Sequence, residues 1–397
     1  MDYEGEAILQ TNYKSATNST LSQLVEAQIK EEISNGRYII TGAPPLLVSA
    51  LGAIKKANGK VRLIHDCSRL PSHSLNDCAV PEKFCYQTVQ HAVSLITSGC
   101  YLAKVDLASA YRSVRINPTD YKLAGLSWTF QGHADPTFLY DTRLMFGARM
   151  APAIFNTLSQ AVVRIMAGRG LHRLVAFLDD FLLIADTYQE CWTWLNSLIH
   201  LLRQLGFAIN YPKVETPATS LEFLGVRLDT VAGTLSLSPH KLSAMLTEVH
   251  STLKRSCISK AALQSLAGKL SWASQVIPGG RPHLRRIFDV IGSLHAPHHR
   301  VTINSHIRKD LLWWKACAEF FNGTMPMVDP RPSAPVCIDA CPTGGGAFYA
   351  GDWFHIPWSS WPGVLGKHIN YLEVLTLEPA LHRWASLWKN KKNTCTL

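Results

Sequence analysis

The feature that most restricts how this chain can fold is a pair of aspartates inside an apolar run. Asp179 and Asp180 interrupt residues 173–185, which are otherwise almost all hydrophobic. Tight hairpins prefer Asn-Gly or Asp-Gly because their central residues need positive φ, and Asp-Asp lacks that glycine. Two like charges between buried strands are unfavourable unless a cation neutralises them. A divalent metal with oxygen ligands would do so; the alternative is an ordinary β-turn that happens to use two aspartates.

A third carboxylate stands at the end of another predicted strand. Residues 101–107 have the pattern of a strand, Asp106 lies at its end, and Tyr111 follows five residues later. Carboxylates from separate strand ends can hold two metal ions roughly 3.5–4 Å apart, and such ions stabilise the attacking and leaving oxygens of a phosphoryl transfer. Asp106, Asp179 and Asp180 therefore predict a two-metal site.

Length and charge are consistent with a polyanionic partner. A chain of 397 residues predicts two or three folded units, and a net charge of +10 favours phosphate chains. The charge is concentrated, because residues 236–330 hold twelve Lys and Arg against five Asp and Glu. The ten cysteines include no CxxC pair, so we interpret them as free thiols rather than zinc ligands.

The sequence gives no sign of a membrane segment. Its apolar runs are shorter than the ~20 residues that a membrane helix needs, and its start lacks the pattern of a signal peptide. We therefore expect an intracellular protein of the nucleus or cytoplasm, without a membrane partner.

Four motifs, in this order along the chain, resemble those of retroelement reverse transcriptases. They are residues 106–111 (DLASAY), 144–155 (LMFGARMAPAIF), 177–180 (FLDD) and 221–225 (LEFLG). The match extends over residues 21–291, and the wording is closest to the DIRS-like, tyrosine-recombinase retrotransposons. The resemblance implies an RNA- and DNA-directed DNA polymerase that uses two Mg²⁺ ions, for which Mn²⁺ could substitute. Its partners would be an RNA or DNA template with a primer duplex and deoxynucleoside triphosphates; the oligomeric state stays open.

The implied fold class is α+β, a right-hand polymerase followed by a truncated ribonuclease H-like α/β domain. The expected divisions follow the chain: a flexible leader over 1–20, fingers over 21–100, palm over 101–235, thumb and connection over 236–330, and the partial nuclease domain over 331–397. A Pro-rich segment at 326–335 marks the last boundary.

The resemblance also assigns roles to single residues. Asp106 and Asp179 would bind both magnesium ions, with Asp180 as a third carboxylate, and Lys213 would protonate the departing pyrophosphate. Leu224 and Gly225 would belong to the primer grip. The residues that would contact the incoming nucleotide are Lys60, Arg62, Tyr111, Phe146 and Gly147.

Two of these nucleotide assignments keep an ordinary alternative. Tyr111 would exclude the 2′-hydroxyl of a ribonucleotide, or it is simply a core tyrosine. Lys60 and Arg62 would grip the triphosphate, or they are solvated hairpin residues.

This sequence departs from the family pattern at two positions. Phe177 stands where tyrosine is usual, which removes a hydroxyl near the primer terminus, and Met145 stands where proline is common. Neither change removes a carboxylate.

Residues 336–353 resemble the first strands of ribonuclease H, with Asp339 as a metal ligand, and Glu373 would be a second. Two further aspartates of that family lie beyond this sequence, so we expect weak or absent nuclease activity. Two other functions stay open: a decayed or domesticated nucleic-acid-binding fragment, and a hydrolase that cleaves RNA in RNA–DNA hybrids.

Overall fold

The computed structural model describes residues 8–18, 20–56, 59–69, 74–80, 83–321, 323–329 and 331–396. These residues belong to two compact units, Met1–Met325 and Pro326–Leu397. None of the helices within the described ranges is long and apolar enough to cross a bilayer.

The strands of the first unit form several small sheets. They are β1 (Ile8–Leu9), β2 (Tyr38–Thr41), β3 (Leu47–Val48), β4 (Ala50–Lys55), β5 (Val61–Asp66), β6 (Tyr101–Asp106), β7 (Gly125–Trp128), β8 (Thr137–Asp141), β9 (Leu174–Phe177), β10 (Asp180–Ala185), β11 (Glu215–Ala218), β12 (Ser220–Phe223), β13 (Val226–Asp229), β14 (Thr234–Leu237), β15 (Cys257–Ser259), β16 (Arg300–Thr302) and β17 (Thr324–Pro326).

Helices separate or cover these strands. They are α1 (Lys14–Thr17), α2 (Ser22–Ser34), α3 (Leu75–Cys78), α4 (Val89–Leu95), α5 (Ala110–Ser113), α6 (Ala151–Gly168), α7 (Tyr188–Gln204), α8 (Pro239–Leu253), α9 (Lys260–Ala273), α10 (Arg285–Ser293) and α11 (Ser305–Phe320), with 3-10 turns at Pro118–Leu123, Tyr211–Lys213 and Arg281–Leu284.

The central sheet, in the order β11-β6-β10-β9, is the platform of the first unit. Its inner residues pack against two helices: Phe155 of α6 and Leu198 of α7 lie in one cluster with Val105 and Phe181 of the strands, and all four are buried. The alternation of side chains along a strand points every second residue of β10 to these helices. The sheet edge that carries Asp106 and Asp180 is thereby fixed by a packed core.

A second sheet, in the order β1-β3-β7-β8-β2, joins segments that are far apart in sequence. β2 lies before residue 100 in the sequence, and it pairs antiparallel with β8, which lies after residue 100. The predicted division into 21–100 and 101–235 is therefore wrong for β7 and β8, because strand pairing is non-local and a division by sequence segment cannot capture it.

The prediction of a flexible leader over residues 1–20 also differs from the structure. Ile8 and Leu9 pair in parallel with Leu47 and Val48, and Ala16 of α1 is fully buried. Residues 1–7 and 19 lie outside the described residues. The polar composition of this segment suggested a solvated leader. Asn12 and Gln10 instead form hydrogen bonds with backbone groups of the sheet region.

The second unit is a sheet with one long helix. Its strands β18 (Ser333–Ala340), β19 (Gly344–Tyr349), β20 (Asp352–Pro357) and β21 (Lys392–Thr396) lie in the order β20-β19-β18-β21, beside a 3-10 turn at Trp358–Ser360 and helix α12 (Ile369–Trp388). Val336 and Ile338 of β18 pack with Trp384 and Trp388 of α12.

A buried ionic cluster joins α5 of the central region to α2, β5 and β8. The Arg112 guanidinium donates to Asp141 Oδ2 at 2.6 Å and to Glu32 Oε2 at 2.6 Å. It also lies over the ring of Tyr38. His65 Nε2 lies 3.6 Å from Asp141. Burial raises the pKa of Asp141 to about 6, against the lowering effect of Arg112. Arg112 therefore compensates two carboxylates that have little contact with water.

We predict that Arg112→Met lowers the free energy of unfolding by about 3–5 kcal/mol, because it leaves two buried carboxylates without their cation. Urea unfolding followed by circular dichroism measures this loss. Arg285→Met is the control, because the Arg285 side chain is 81% exposed and its partner Asp289 is exposed too. Equal losses in the two variants would contradict the prediction.

Candidate functional site

The two adjacent aspartates lie at a tight hairpin. Phe177 pairs with Asp180 across β9 and β10, so Leu178 and Asp179 are the two central residues of the turn. Leu178 has φ +52°, a conformation that costs a side-chain-bearing residue about 1–3 kcal/mol. The expectation that the lack of a glycine disfavours a tight turn is wrong here, because Leu178 adopts the positive φ that the turn requires.

Two hydrogen bonds hold this strained turn from either side. Ser159 of α6 donates its hydroxyl to the Leu178 carbonyl oxygen at 2.7 Å, and the Leu107 amide donates to the Asp179 carbonyl oxygen at 3.1 Å. Ser159 is buried. The turn is thus fixed by the helix behind it and by the strand that carries Asp106.

The third aspartate lies directly opposite the pair. Asp106 and Asp180 are Cα partners in the antiparallel register of β6 and β10. Both carboxylate oxygens of Asp106 have partners, since Asn210 Nδ2 donates to Oδ1 at 2.6 Å and Lys213 Nζ donates to Oδ2 at 3.1 Å. Three carboxylates predicted from separate parts of the sequence are neighbours at one sheet edge.

The electrostatics of this edge leave it short of positive charge. Burial, followed by the charges of Asp179 and Asp106, raises the pKa of Asp180 to about 6, while Lys104 and Lys213 oppose the shift. The pKa of Asp179 is also raised, first by burial and then by Asp106. Carboxylates that repel one another in a partly desolvated place are stabilised by a divalent cation. Their oxygen donors fit Mg²⁺.

The side chains are not arranged as a metal cage. Within the described part of the chain, no group of three or more His, Cys, Asp or Glu is positioned to hold a metal ion. Asp106 is instead engaged by Lys213 and Asn210. The chemistry of the donor set therefore fits a metal, whereas in this structure the amine of Lys213 compensates Asp106.

Basic residues face the carboxylates. The pKa of Lys56 is lowered, first by burial and then by the charges of Arg62, Lys60 and Lys213. The positive charge of Arg62 in turn favours the charged form of the Asp179 carboxylate, which opposes the rise of its pKa. The sequence prediction included Lys60, Arg62 and Lys213 but missed Lys56, although it lies in the same basic hairpin; residues 57 and 58 of that hairpin lie outside the described residues.

Aromatic rings form a wall beside the turn. The Tyr111 ring packs on Phe146 at 4.9 Å and on Phe155 at 5.5 Å between centroids, and the Arg62 guanidinium lies 5.3 Å from the Phe146 ring centre. Burial raises the pKa of Tyr111 to about 12, with smaller contributions from Tyr86 and Asp179. Tyr111 is half-buried, so it is neither a plain core tyrosine nor a free surface residue.

Gly147 is required by a close backbone approach. It has φ +127°, and a Cβ at this position would overlap the His65 carbonyl oxygen. Asn76 fixes the same segment: its Nδ2 donates to the Gly147 carbonyl oxygen at 2.9 Å, and its Oδ1 accepts from the Arg149 amide at 2.7 Å. Sequence reasoning missed Asn76, because a single asparagine in a loop carries no motif.

Leu224 and Gly225 form the turn between β12 and β13. Both have positive φ, +49° and +85°, which is the pattern of a type I′ hairpin. The Trp272 indole of α9 donates to the Leu224 carbonyl oxygen at 3.1 Å, and Lys241 of α8 donates to that of Gly225 at 3.2 Å. The predicted primer-grip turn is thus held by two helices of the basic region.

Several cations of that basic region already have protein partners. Arg286 donates to Asp310 Oδ2 at 2.7 Å, and Lys269 bonds to Glu248. Lys254, Arg255 and Arg300 instead line a shared cavity.

Asp339 and Glu373 lie on β18 and α12, which pack against each other. Asp339 is exposed on β18, whereas its neighbour Ile338 is buried against α12. Because side chains alternate along a strand, Asp339 projects from the face opposite to the helix that carries Glu373. The assignment of Asp339 and Glu373 as a nuclease pair stays a prediction.

Comparisons with known proteins agree on the central region. Residues 54–228 match the family model described as reverse transcriptase (RNA-dependent DNA polymerase). The chain is 23% identical over 224 residues to the retrovirus-related Pol polyprotein from transposon opus of Drosophila melanogaster, covering 56% of this chain and 21% of that protein. It is 24% identical over 238 residues to the genome polyprotein of Petunia vein clearing virus, covering 60% of this chain and 10% of that protein.

Solved structures show the same fold. The foamy viral protease-reverse transcriptase in complex with RNA/DNA hybrid gives a TM-score of 0.63 at 15% identity, over 98% of this chain and 49% of that one. The same enzyme, as the dRH form in complex with double-stranded DNA, gives a TM-score of 0.61 at 16% identity, over 100% of this chain and 64% of that one. The matched region thus spans 21% and 10% of the length of these two polyprotein relatives.

We predict that Asp180→Asn raises the melting temperature of the metal-free protein at pH 8. A carboxyl group whose folded pKa lies above its unfolded value contributes stability below the unfolded pKa, and that contribution is lost as pH rises through the folded pKa, here about 6. The gain from Asp180→Asn should therefore appear above pH 6 and vanish near pH 4. Thermal unfolding in EDTA across this range measures it.

Asp186→Asn is the matched control. The pKa of Asp186 is lowered, first by its hydrogen bond from Arg173, so its replacement should not stabilise the protein at pH 8. A melting temperature of Asp180→Asn at or below that of the unaltered protein at pH 8 would contradict the electrostatic reading of this edge.

Proposed function

We propose that this chain, whose residues 54–228 form a reverse transcriptase domain, is a template-directed DNA polymerase of a retroelement. The observation that carries the proposal is the opposition of Asp106 and Asp180 at one sheet edge, with Asp179 at the strained turn beside them. The wording of the motifs favours a DIRS-like element.

Asp106, Asp179 and Asp180 would hold two Mg²⁺ ions, or Mn²⁺ in their place. When bound, the ions stabilise the negative charge on the attacking 3′-oxygen and on the leaving pyrophosphate. Before that, Lys213 and Asn210 keep Asp106 compensated and oriented. The mutual repulsion that raises the pKa of Asp180 is the property that favours cation binding.

The basic residues opposite the carboxylates bind the triphosphate. Lys56, Lys60 and Arg62 belong to the β4–β5 hairpin, and their charges act on one another and on Lys213. The Lys213 side chain is 63% exposed, so its amine can reach a leaving group and donate a proton to the pyrophosphate. Its bond to Asp106 keeps that amine beside the reacting atoms.

The aromatic wall selects the sugar. Tyr111 is held between Phe146 and Phe155, so its ring cannot easily move away from an extra 2′-hydroxyl. Phe146 and the bare backbone of Gly147 would lie against the nascent base pair, since glycine allows close approach.

The partners would be a primer duplex on an RNA or DNA template, and deoxynucleoside triphosphates. The similar foamy viral enzymes are solved with double-stranded DNA and with RNA/DNA hybrid. The turn Leu224–Gly225 would support the primer, with α8 and α9 as part of the thumb. No nuclease step is proposed, because Asp339 and Glu373 do not share a face.

We predict that Asp179→Asn reduces primer extension at least about 1000-fold, a loss of roughly 4 kcal/mol of transition-state stabilisation, with little change in affinity for the primer–template. Extension on an RNA template with Mg²⁺ and a filter-binding titration measure the two quantities. The control is Asp186→Asn, at an exposed aspartate that directly follows β10; this variant should extend the primer normally. A decayed, merely binding protein would extend no primer even without the substitution.

We predict that Tyr111→Val lowers the preference for deoxyribonucleotides at least about tenfold, which corresponds to ~1.4 kcal/mol, because the ring no longer occupies the space of the 2′-hydroxyl. The measurement is the ratio of kcat/KM for dCTP and CTP. Tyr188→Val, at a tyrosine that is 51% exposed, is the control. Unchanged sugar preference in Tyr111→Val would remove Tyr111 from this role.

A further inference from the structure

Behind the aromatic wall, a cavity is lined by arginines that lack enough acidic partners. Arg37, Arg112 and Arg143 line it, together with Ser109 and Ser113. Ala108, Gly206 and Ala208 complete the lining. The cavity is formed by elements of the first unit alone.

The charges around this cavity do not balance. Arg143 is repelled by Arg115, Arg37 and Arg112, and Asp141 is the acid that attracts it. Arg115 and Arg143 are antiparallel bridge partners, an arrangement in which like charges are destabilising. The carboxylates at hand are Glu32 and Asp141, and Arg112 binds both of them at 2.6 Å. Among the described residues, the three arginines of the cavity against two carboxylates leave one positive charge, and the exposed Arg115 beside Arg143 adds a second.

The Arg143 side chain is also incompletely bonded. Its Nε is a buried atom that has no hydrogen-bond partner among the described residues. Its Nη1 reaches the Ser113 carbonyl oxygen at 3.4 Å, which is a long contact. Burial of the guanidinium, followed by the neighbouring arginines, lowers the pKa of Arg143. Arg37 has a similarly long contact, 3.4 Å to Glu32 Oε1. Buried donors normally find a partner, so this arrangement calls for an external acceptor.

Ser109, which also lines the cavity, has a strained backbone conformation. It has φ +53°, which is uncommon for a residue with a side chain and tends to occur where structure serves binding. Strain and like-charge repulsion both cost stability, and a ligand that carries two negative charges would offset the repulsion.

We propose that Arg37 and Arg143 form a binding site for a phosphate group, separate from the nucleotide site at Asp106, Asp179 and Asp180. A phosphate matches the excess of two positive charges and offers several acceptor oxygens to guanidinium forks, whereas a carboxylate supplies a single charge. The two charges would come either from one free phosphate compound or from two neighbouring phosphodiesters of a nucleic-acid strand, each of which carries one negative charge.

The test uses the full chain with Lys60→Gln and Arg62→Gln, so that the nucleotide pocket contributes little, in EDTA. Inorganic pyrophosphate and a single-stranded DNA 10-mer are titrated separately by calorimetry. Arg143→Gln and, separately, Arg37→Gln should weaken binding at least tenfold. Arg285→Gln, at an exposed arginine, should leave it unchanged. Weakening for both compounds indicates a free-phosphate site, and weakening for the 10-mer alone indicates a strand phosphodiester.

Thermal unfolding without ligand separates binding from a structural role. Because Arg143 is repelled by its neighbours, Arg143→Gln should keep or raise the melting temperature and lose the stabilisation by ligand. A lower melting temperature with unchanged binding would overturn the proposal, as would binding that Arg143→Gln and Arg285→Gln affect equally. Neither result bears on primer extension, so the polymerase proposal stands or falls by its own assay.

Discussion

Three carboxylates held close together at the ends of buried strands are the constraint around which the first unit is built. Asp106 and Asp180 face each other in the strand register, and Asp179 follows a leucine in a strained turn. Such a group is electrostatically unfavourable, and burial with mutual repulsion raises the pKa of both hairpin aspartates. The packed core of α6 and α7 supplies the stability that keeps it in place.

The proposed nucleotide pocket depends on contacts between segments that are distant in sequence. The Arg112 cluster ties α5, which carries Tyr111, to α2 and β8. His65 belongs to that cluster and its amide donates to the Phe146 carbonyl oxygen at 2.9 Å. One buried set of charges therefore positions the segments that carry the rings of Tyr111 and Phe146. This positioning accompanies the desolvation cost of the buried charges.

Some features followed from residue patterns, and some did not. The strand before Asp106 and the apolar run around Asp179 and Asp180 were predicted within a few residues, because hydrophobic patterns are local. The leader was wrong, since Asn12 and Gln10 serve backbone groups that no pattern announces. The division at residue 100 was wrong for β7 and β8, since their partner β2 lies far away in sequence. Lys56, Asn76 and Asn210 had no motif and were visible only as neighbours of the site.

By itself, the sequence determined which residues could carry the chemistry: three aspartates in apolar strands, a basic hairpin and a tyrosine at a fixed distance from the first aspartate. Charge and hydrophobic spacing are properties of short segments, so they can be read along the chain. Only the tertiary structure decided that Lys213 and Asn210 engage Asp106, that Asp339 projects from the face of β18 opposite to α12, and that arginines from three segments share one cavity. These outcomes depend on register and on packing between distant segments, where a shift of one residue turns a side chain to the other face.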